Sequence, residues 1–258
     1  MTANERYLKG QIYFGNIETV VNEDIEKSSF RQSLTALSKK IKTIEYLKDG
    51  ILKTDGNIYA SSVLLRSLIE HFLIAYYLFI KIKVDNNDSV GQDYYDKYQN
   101  SEFFKQETYS LQLEDLKNKS PRSTVDINAL KEIYPGLIGF SQSDLQNYHQ
   151  VASQFFNLKN IGKFLITHQE LEPKLKAVHH LLFDLLNRYN LLSSFVHGGP
   201  YAERCTFELT EVDYELYQSD KFKEWGEMMT HLAKTYLILS LRNEFQDKYE
   251  AHFKEMFQ

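Results

Sequence analysis

Residues 58–84 read IYASSVLLRSLIEHFLIAYYLFIKIKV and include the most apolar stretch of the chain. Drawn as a helix, this stretch is apolar nearly all round, which indicates a helix at the centre of the protein. Arg66, Glu70, His71 and Lys81 interrupt it. A membrane span of about 20 apolar residues rarely carries an Arg, a Glu and a His near its middle. We therefore predict a buried core helix here and no membrane partner.

A second long core helix is predicted from about Leu171 to Val196, where apolar residues recur at three- and four-residue steps. It ends at His197-Gly198-Gly199-Pro200, the strongest helix breaker in the chain. Other periodic stretches predict further helices around this pair. The predictions are a helix that Ser29 caps, with Lys39, Lys40 and Lys42 on its outer face, a helix from Ser141 or Ser143 that is interrupted at residues 160–162, and an unbroken helix over about 220–253.

The composition supports an all-α fold. The chain has 11 Gly and 4 Pro among 258 residues, about 6% against roughly 12% in average usage. Turns are therefore scarce, which argues against a sandwich or barrel and for a helical bundle with long central helices. We predict one domain over residues 1–258, with a core at about 30–84 and 143–253 and an inserted helical lobe at about 86–142.

Charge and cysteine content exclude several functional classes. The net charge is −5, whereas a non-specific polyanion binder usually has a strongly basic surface. The single Cys205 excludes an intramolecular disulfide and a Cys-rich metal site. It fits a reducing compartment, and no secretory signal is visible, so we predict a cytoplasmic location. The chain has no Gly-rich phosphate loop. His168 and Glu172 have the spacing of helical metal ligands, but Pro173 follows and no third ligand is evident, so we expect no cofactor and no metal.

The central helix carries a line of polar side chains. Ser62, Arg66 and Glu70 lie at i, i+4 and i+8 and so share one helix face, and His71 follows directly. Buried charges must be paired. Two interpretations stay open: an Arg66–Glu70 ion pair that fixes helix packing, or a polar site in which Arg66 contacts a phosphate or another anion.

The second long helix repeats this pattern with Tyr189, Ser193 and His197. A His at a helix C-terminus is favoured by the helix dipole, so His197 is either a capping residue or a functional one on the following loop. If the two helices pack antiparallel, the two polar lines face each other. The predicted cluster then contains Arg66, Glu70, Tyr189, Ser193 and His197.

These two motifs, Arg66-Ser-Leu-Ile-Glu70-His71 and Tyr189-x-x-x-Ser193-x-x-x-His197, resemble a family of uncharacterised bacterial helical proteins. That family is similar to the HEPN superfamily, helical domains often found as dimeric ribonucleases in toxin–antitoxin and phage-defence systems. The resemblance covers about residues 30–80 and 145–200. It implies a HEPN-like helical bundle. HEPN ribonucleases use an Arg and a His a few residues apart, and Arg66 and His71 fit that spacing.

The resemblance implies metal-independent RNA cleavage by the ribose 2′-hydroxyl. His71 or His197 would act as general acid or base, Arg66 would stabilise the phosphorane-like transition state, and Glu70 or Tyr189 would orient them. It also implies a homodimer, RNA or a nucleotide as ligand, and a partner protein of the defence system.

Two other classes of function stay open. One is a non-catalytic helical interaction or scaffold subunit of a defence complex, which the acidic net charge favours. The other is a small-molecule enzyme or sensor on an unfamiliar helical fold. The two facing polar lines favour the ribonuclease. The sequence alone leaves open whether the chain is an enzyme.

Overall fold

A computed structural model describes residues 14–15, 18–54, 57–117, 128, 131–132, 137–168, 176–207 and 219–257. Nearly all of these residues are helical, and none of them lies in a strand. The predicted all-α class is therefore confirmed. In chain order the helices are α1 (18–27), α2 (Arg31–Leu52), α3 (Ile58–Asp85), α4 (Ser89–Asp93), a π-helix (Tyr94–Gln99), α5 (Asn100–Lys117), α6 (Gln142–Phe155), α7 (Leu158–Thr167), α8 (Lys176–His197), α9 (Pro200–Phe207), α10 (Ser219–Arg242) and α11 (Gln246–Phe257).

The chain divides into two compact units. One is built from residues 1–91 and 161–258, and the other from residues 92–160, so the boundaries fall within α4 and α7. The inserted lobe predicted at about 86–142 overlaps the second unit, which continues to residue 160. The assignment of residues 1–258 to a single domain stays a prediction.

The α3 helix is the core helix predicted from the sequence, and it packs against α2, α8 and α10. Leu65, Phe72 and Phe79 are fully buried. By length and composition α3 could cross a membrane, yet 67% of its most apolar window is buried inside the fold. A core helix buries its apolar surface in the same way, so the absence of a membrane partner remains an expectation.

The second unit holds a cluster of aromatic side chains. Tyr94 in the π-helix is 7% exposed, and its ring lies 5.6 Å from that of Phe156 and 5.4 Å from that of Tyr98. Lys97 places its ammonium 4.1 Å from the Phe155 ring. These tyrosines therefore contribute to packing within their own unit.

The start of α2 differs from the prediction. Ser29 is not its N-cap: the cap position is Phe30, which makes no side-chain capping bond. Asp88, far along the chain, accepts hydrogen bonds from the backbone N–H groups of Gln32 (2.8 Å) and Ser33 (2.7 Å) instead. A distant carboxylate thus satisfies the free N–H groups and complements the positive end of the helix.

The helix predicted without a break over 220–253 is in fact two helices, α10 and α11, separated at residues 243–245. Glu244 lies in this break. Its carboxylate accepts hydrogen bonds from the Ser29 backbone N–H (2.9 Å) and from the hydroxyls of Ser28 and Ser29. The break therefore supplies a partner for the chain segment that precedes α2.

The interruption predicted at residues 160–162 lies earlier, between α6 and α7. Asn157 accepts a hydrogen bond from the Lys159 backbone N–H (2.9 Å), which is a local capping interaction. Gly162 lies inside α7. A Cβ there would be 3.2 Å from Leu186 Cδ1, so this glycine allows close packing with α8 rather than ending a helix. Ser141, one of the two predicted caps, does cap α6 in a capping box with Asp144.

Candidate functional site

Arg66 on α3 contacts three of the residues that the sequence assigns to its cluster. Its Nη1 lies 3.0 Å from Glu70 Oε2, its Nη2 donates to the Tyr189 hydroxyl, and its Nε lies 3.5 Å from Ser193 Oγ. The guanidinium carbon is 4.5 Å from the centre of the Tyr189 ring. We call Arg66, Glu70, Tyr189 and Ser193 the Arg66 site.

The antiparallel packing of α3 and α8 creates this site. Arg66 faces Ser193 and Tyr189, whereas Glu70, one turn later on α3, also faces Tyr189, so the two helices run in opposite directions. Tyr59 at the start of α3 and Phe195 near the end of α8 pack edge to face at 5.5 Å. Spacing of four residues on each helix then places the polar side chains opposite one another.

Each hydroxyl in the site has a defined role. Ser193 donates its hydroxyl proton to the carbonyl oxygen of Tyr189 (2.8 Å), which leaves its lone pairs for the Arg66 Nε–H. Tyr189 accepts from Arg66 and donates to Glu70 Oε2 at 3.4 Å. Burial raises the pKa of the Tyr189 hydroxyl and Glu70 adds to the rise, against the opposing effect of Arg66. The phenol therefore stays protonated at neutral pH.

Lys40 belongs to the same region, contrary to the prediction that placed it on an outer polar face. It is 5% exposed, and its Nζ lies 3.1 Å from Nδ1 of His71. Leu37 and Ile44 lie three residues before and four residues after it and are fully buried. This apolar stripe is the sequence signal that could have identified Lys40 as a buried cation.

The Lys40–His71 pair has shifted acid–base properties. Burial lowers the pKa of Lys40 to about 8, with Glu70 opposing the change. Burial, followed by the charge of Lys40, lowers the pKa of His71 to about 4. At pH 7 Lys40 is therefore mostly charged and His71 is neutral. Because the ammonium can only donate, Nδ1 of His71 is the acceptor and the ring proton is on Nε2.

His197, the last residue of α8, is exposed, and it forms no hydrogen bond or ion pair with the described residues. The Gly199 N–H closes the helix end by donating to the Ser194 carbonyl (2.8 Å), and Gly198 has a φ of +61°. The interpretation of His197 as a cap is therefore not needed. The structure places it one turn beyond Ser193 without a contact to the Arg66 site, so its membership of the cluster stays a prediction.

Two cations lie near Glu70: Arg66, which pairs with it, and Lys40, whose pKa it raises against the effect of burial. Three of the five guanidinium N–H groups donate to described residues, and the other two have no acceptor among them. Ser62, one turn before Arg66, has a buried hydroxyl with no partner among the described residues. Across those same residues, no group of three His, Cys, Asp or Glu side chains could hold a metal ion. The arrangement can attract and bind an anion.

Comparisons of the chain with known protein families, with curated proteins and with solved structures found no match. The resemblance to HEPN proteins therefore rests on the two motifs that meet at Arg66.

Proposed function

We propose that this chain is a HEPN-like component of a bacterial phage-defence or toxin system, and that it cleaves RNA without a metal ion. The observation that carries the proposal is the contact of Arg66 with Tyr189 and Ser193. This contact joins the two sequence motifs, which are far apart in the chain, into one site that contains a guanidinium.

Arg66 would bind the scissile phosphate. Its two unused N–H groups suit two phosphate oxygens, and a guanidinium is the side chain best matched to that geometry. Glu70 and Tyr189 hold the guanidinium in place through the contacts already described. Negative charge increases on the phosphate oxygens in the transition state, so a cation fixed beforehand lowers the barrier.

His197 is the better candidate for proton transfer. The Nδ1 of His71 is taken by Lys40, and a pKa of about 4 makes that ring a poor base at neutral pH. His197 is exposed and has no hydrogen-bond partner among the described residues. It would accept the ribose 2′-hydroxyl proton as the 2′-oxygen bonds to phosphorus. The bond from phosphorus to the 5′-oxygen breaks and that oxygen takes a proton from water, which leaves a 2′,3′-cyclic phosphate.

A homodimer, a partner defence protein and a cytoplasmic location complete the proposal. Exposed apolar side chains near the end of α8 and on α9 support an interface: Leu191 is 48% exposed, Val196 42% and Phe207 82%. Exposed apolar side chains of this size are candidates for contact with a partner.

The alternative is a non-catalytic interaction subunit in which the same residues only fix helix packing. The specific observation in its favour is that all three guanidinium nitrogens of Arg66 already have protein partners. The acidic net charge of −5 agrees with it. An RNA cleavage assay on purified protein separates the two functions.

The assay compares Arg66→Ala and His197→Ala with Asn187→Ala, an exposed polar position on the same helix as His197. For a ribonuclease we expect both site variants to lose cleavage of single-stranded RNA while Tm changes by only a few degrees, and the control to cleave normally. If the unchanged chain does not cleave RNA and Arg66→Ala loses several kcal/mol of stability, the interaction subunit is correct.

A further inference from the structure

A cavity of about 170 Å³ lies between residues 14–15 and 18–22 on one side and the helices α2 and α10 on the other. It shares no lining residue with the Arg66 site. Pockets for drug-sized ligands measure roughly 300–1,000 Å³. This cavity is smaller, so it suits a compact metabolite of a few heavy atoms.

The inner wall of the cavity contains an ion pair. Lys234 of α10 places its Nζ 2.5 Å from Glu45 Oε1 of α2, and its side chain is only 7% exposed. The same ammonium lies 4.8 Å from the centre of the Phe14 ring. Glu45 is 35% exposed, so its carboxylate is accessible.

The outer rim of the cavity also carries one acidic and one basic side chain. Glu18 and Lys42 both line the cavity and are exposed. Neither forms an ion pair or a side-chain hydrogen bond with another described residue. Among the described lining residues there are therefore two carboxylates and two ammonium groups, and the Glu18 and Lys42 pair of them lacks an ion-pair partner there.

Apolar side chains complete the lining. Val21 and Leu237 are each 2% exposed and Ile41 is 3% exposed. Together with Phe14 they provide a surface that excludes water and suits an aliphatic group. Asn22 and Ser38 supply neutral hydrogen-bonding groups.

We propose that this cavity binds a small zwitterion with an aliphatic side chain, of the α-amino acid class. The ligand ammonium would lie near Glu18 and Glu45, its carboxylate near Lys42 and Lys234, and its side chain against Ile41 and Leu237. A ligand with a single charge would be attracted by only one of the two rim residues, Glu18 or Lys42, and repelled by the other. A ligand with both charges can place its ammonium near the two carboxylates and its carboxylate near the two ammonium groups.

The test measures the Tm of the full chain with L-leucine, isoamylamine and 4-methylpentanoate at up to about 10 mM, a range that detects ligands with Kd near 1 mM. The last two probes keep the aliphatic group and carry only one of the two charges. We expect a rise in Tm with leucine alone. An equal rise with either singly charged probe, or no rise with leucine, overturns the proposal.

Two rim variants locate the site. Glu18→Gln and Lys42→Met should each weaken leucine binding by about tenfold, the effect of losing one charge-assisted contact. Both side chains are exposed, so the Tm without ligand should not change. Glu23→Gln and Lys53→Met are matched controls, since both are exposed and outside the lining. Unchanged affinity in both rim variants would show that leucine binds elsewhere.

Discussion

Two faces of α3 form interfaces of opposite character. Toward α10, Tyr76 and Phe79 stack on Tyr236 with ring centres 5.0 and 4.8 Å apart, and all three are buried almost completely. Toward α8, Arg66 and Glu70 meet Tyr189 and Ser193 and remain partly exposed, at 19% for the Arg66 side chain and 30% for Glu70.

One face of α3 therefore contributes mainly to stability, and the other face carries the charged groups of the candidate site. The α10 face gains free energy from burying aromatic surface, which depends little on pH or on an ion. The α8 face places charges where water is partly excluded, at a cost that paired partners only partly offset. We therefore expect the two faces to respond differently to substitution and to pH.

The largest effect should come from Tyr236→Ala on the apolar face. Loss of a fully buried aromatic side chain typically costs about 3–5 kcal/mol, because it removes packing and leaves a cavity. Urea unfolding followed by circular dichroism measures it. A loss below about 1 kcal/mol would mean that this face is not the centre of the core.

The next effect is a dependence of stability on pH that comes from His71 of α3, which contacts Lys40 of α2. The pKa of His71 is about 4 in the folded chain, whereas the ordinary value of 6.5 applies to the unfolded chain. Between these values the unfolded chain binds more protons, so the contribution of His71 to stability is present above pH 6.5 and is lost as pH falls to 4. Its size is roughly 3 kcal/mol.

His71→Gln tests this contribution. The difference in unfolding free energy between the unchanged chain and the variant should increase from pH 4 to pH 6.5 and then stay constant. A second measurement is an NMR titration of the Lys40→Met variant. This variant lacks the neighbouring positive charge, so the pKa of His71 should rise. A His71 pKa that does not move would contradict the contact between these two side chains.

A smaller effect compares one hydroxyl on each face. Tyr189→Phe removes a hydroxyl with two partners and should cost about 0.5–1.5 kcal/mol. Tyr236→Phe removes a buried hydroxyl with no partner among the described residues, so it should be neutral or stabilising. Thermal unfolding measures the change in stability of both variants. If both variants lose stability, or both gain it, the two faces do not differ in the way proposed here.

The smallest effect on stability should be that of His197→Ala. The ring is exposed and has no hydrogen-bond partner among the described residues, so the unfolding free energy should change by less than about 0.5 kcal/mol. Under the proposed ribonuclease function, the same variant should also lose RNA cleavage. A large loss of stability would instead assign His197 a structural role.

Much of the site could be predicted from local spacing. Arg66 and Glu70 on one helix and Tyr189 and Ser193 on another each lie four residues apart, and helix geometry alone puts each pair on one face. The two pairs contact each other once α3 and α8 pack antiparallel. That arrangement was expected because a buried charge without a partner is costly. The bounds of α3 were equally predictable, because its apolar run is long and ends at clear turn residues.

The sequence by itself determined the all-α class, the central helix and the two polar lines, since each depends on composition or on a period within one helix. Only the tertiary structure decided that Lys40 is buried beside His71, that Asp88 rather than Ser29 caps α2, and that Glu244, in the break of the last predicted helix, binds Ser28 and Ser29. Each of these depends on a partner distant in sequence, and local periodicity carries no information about which distant groups come together.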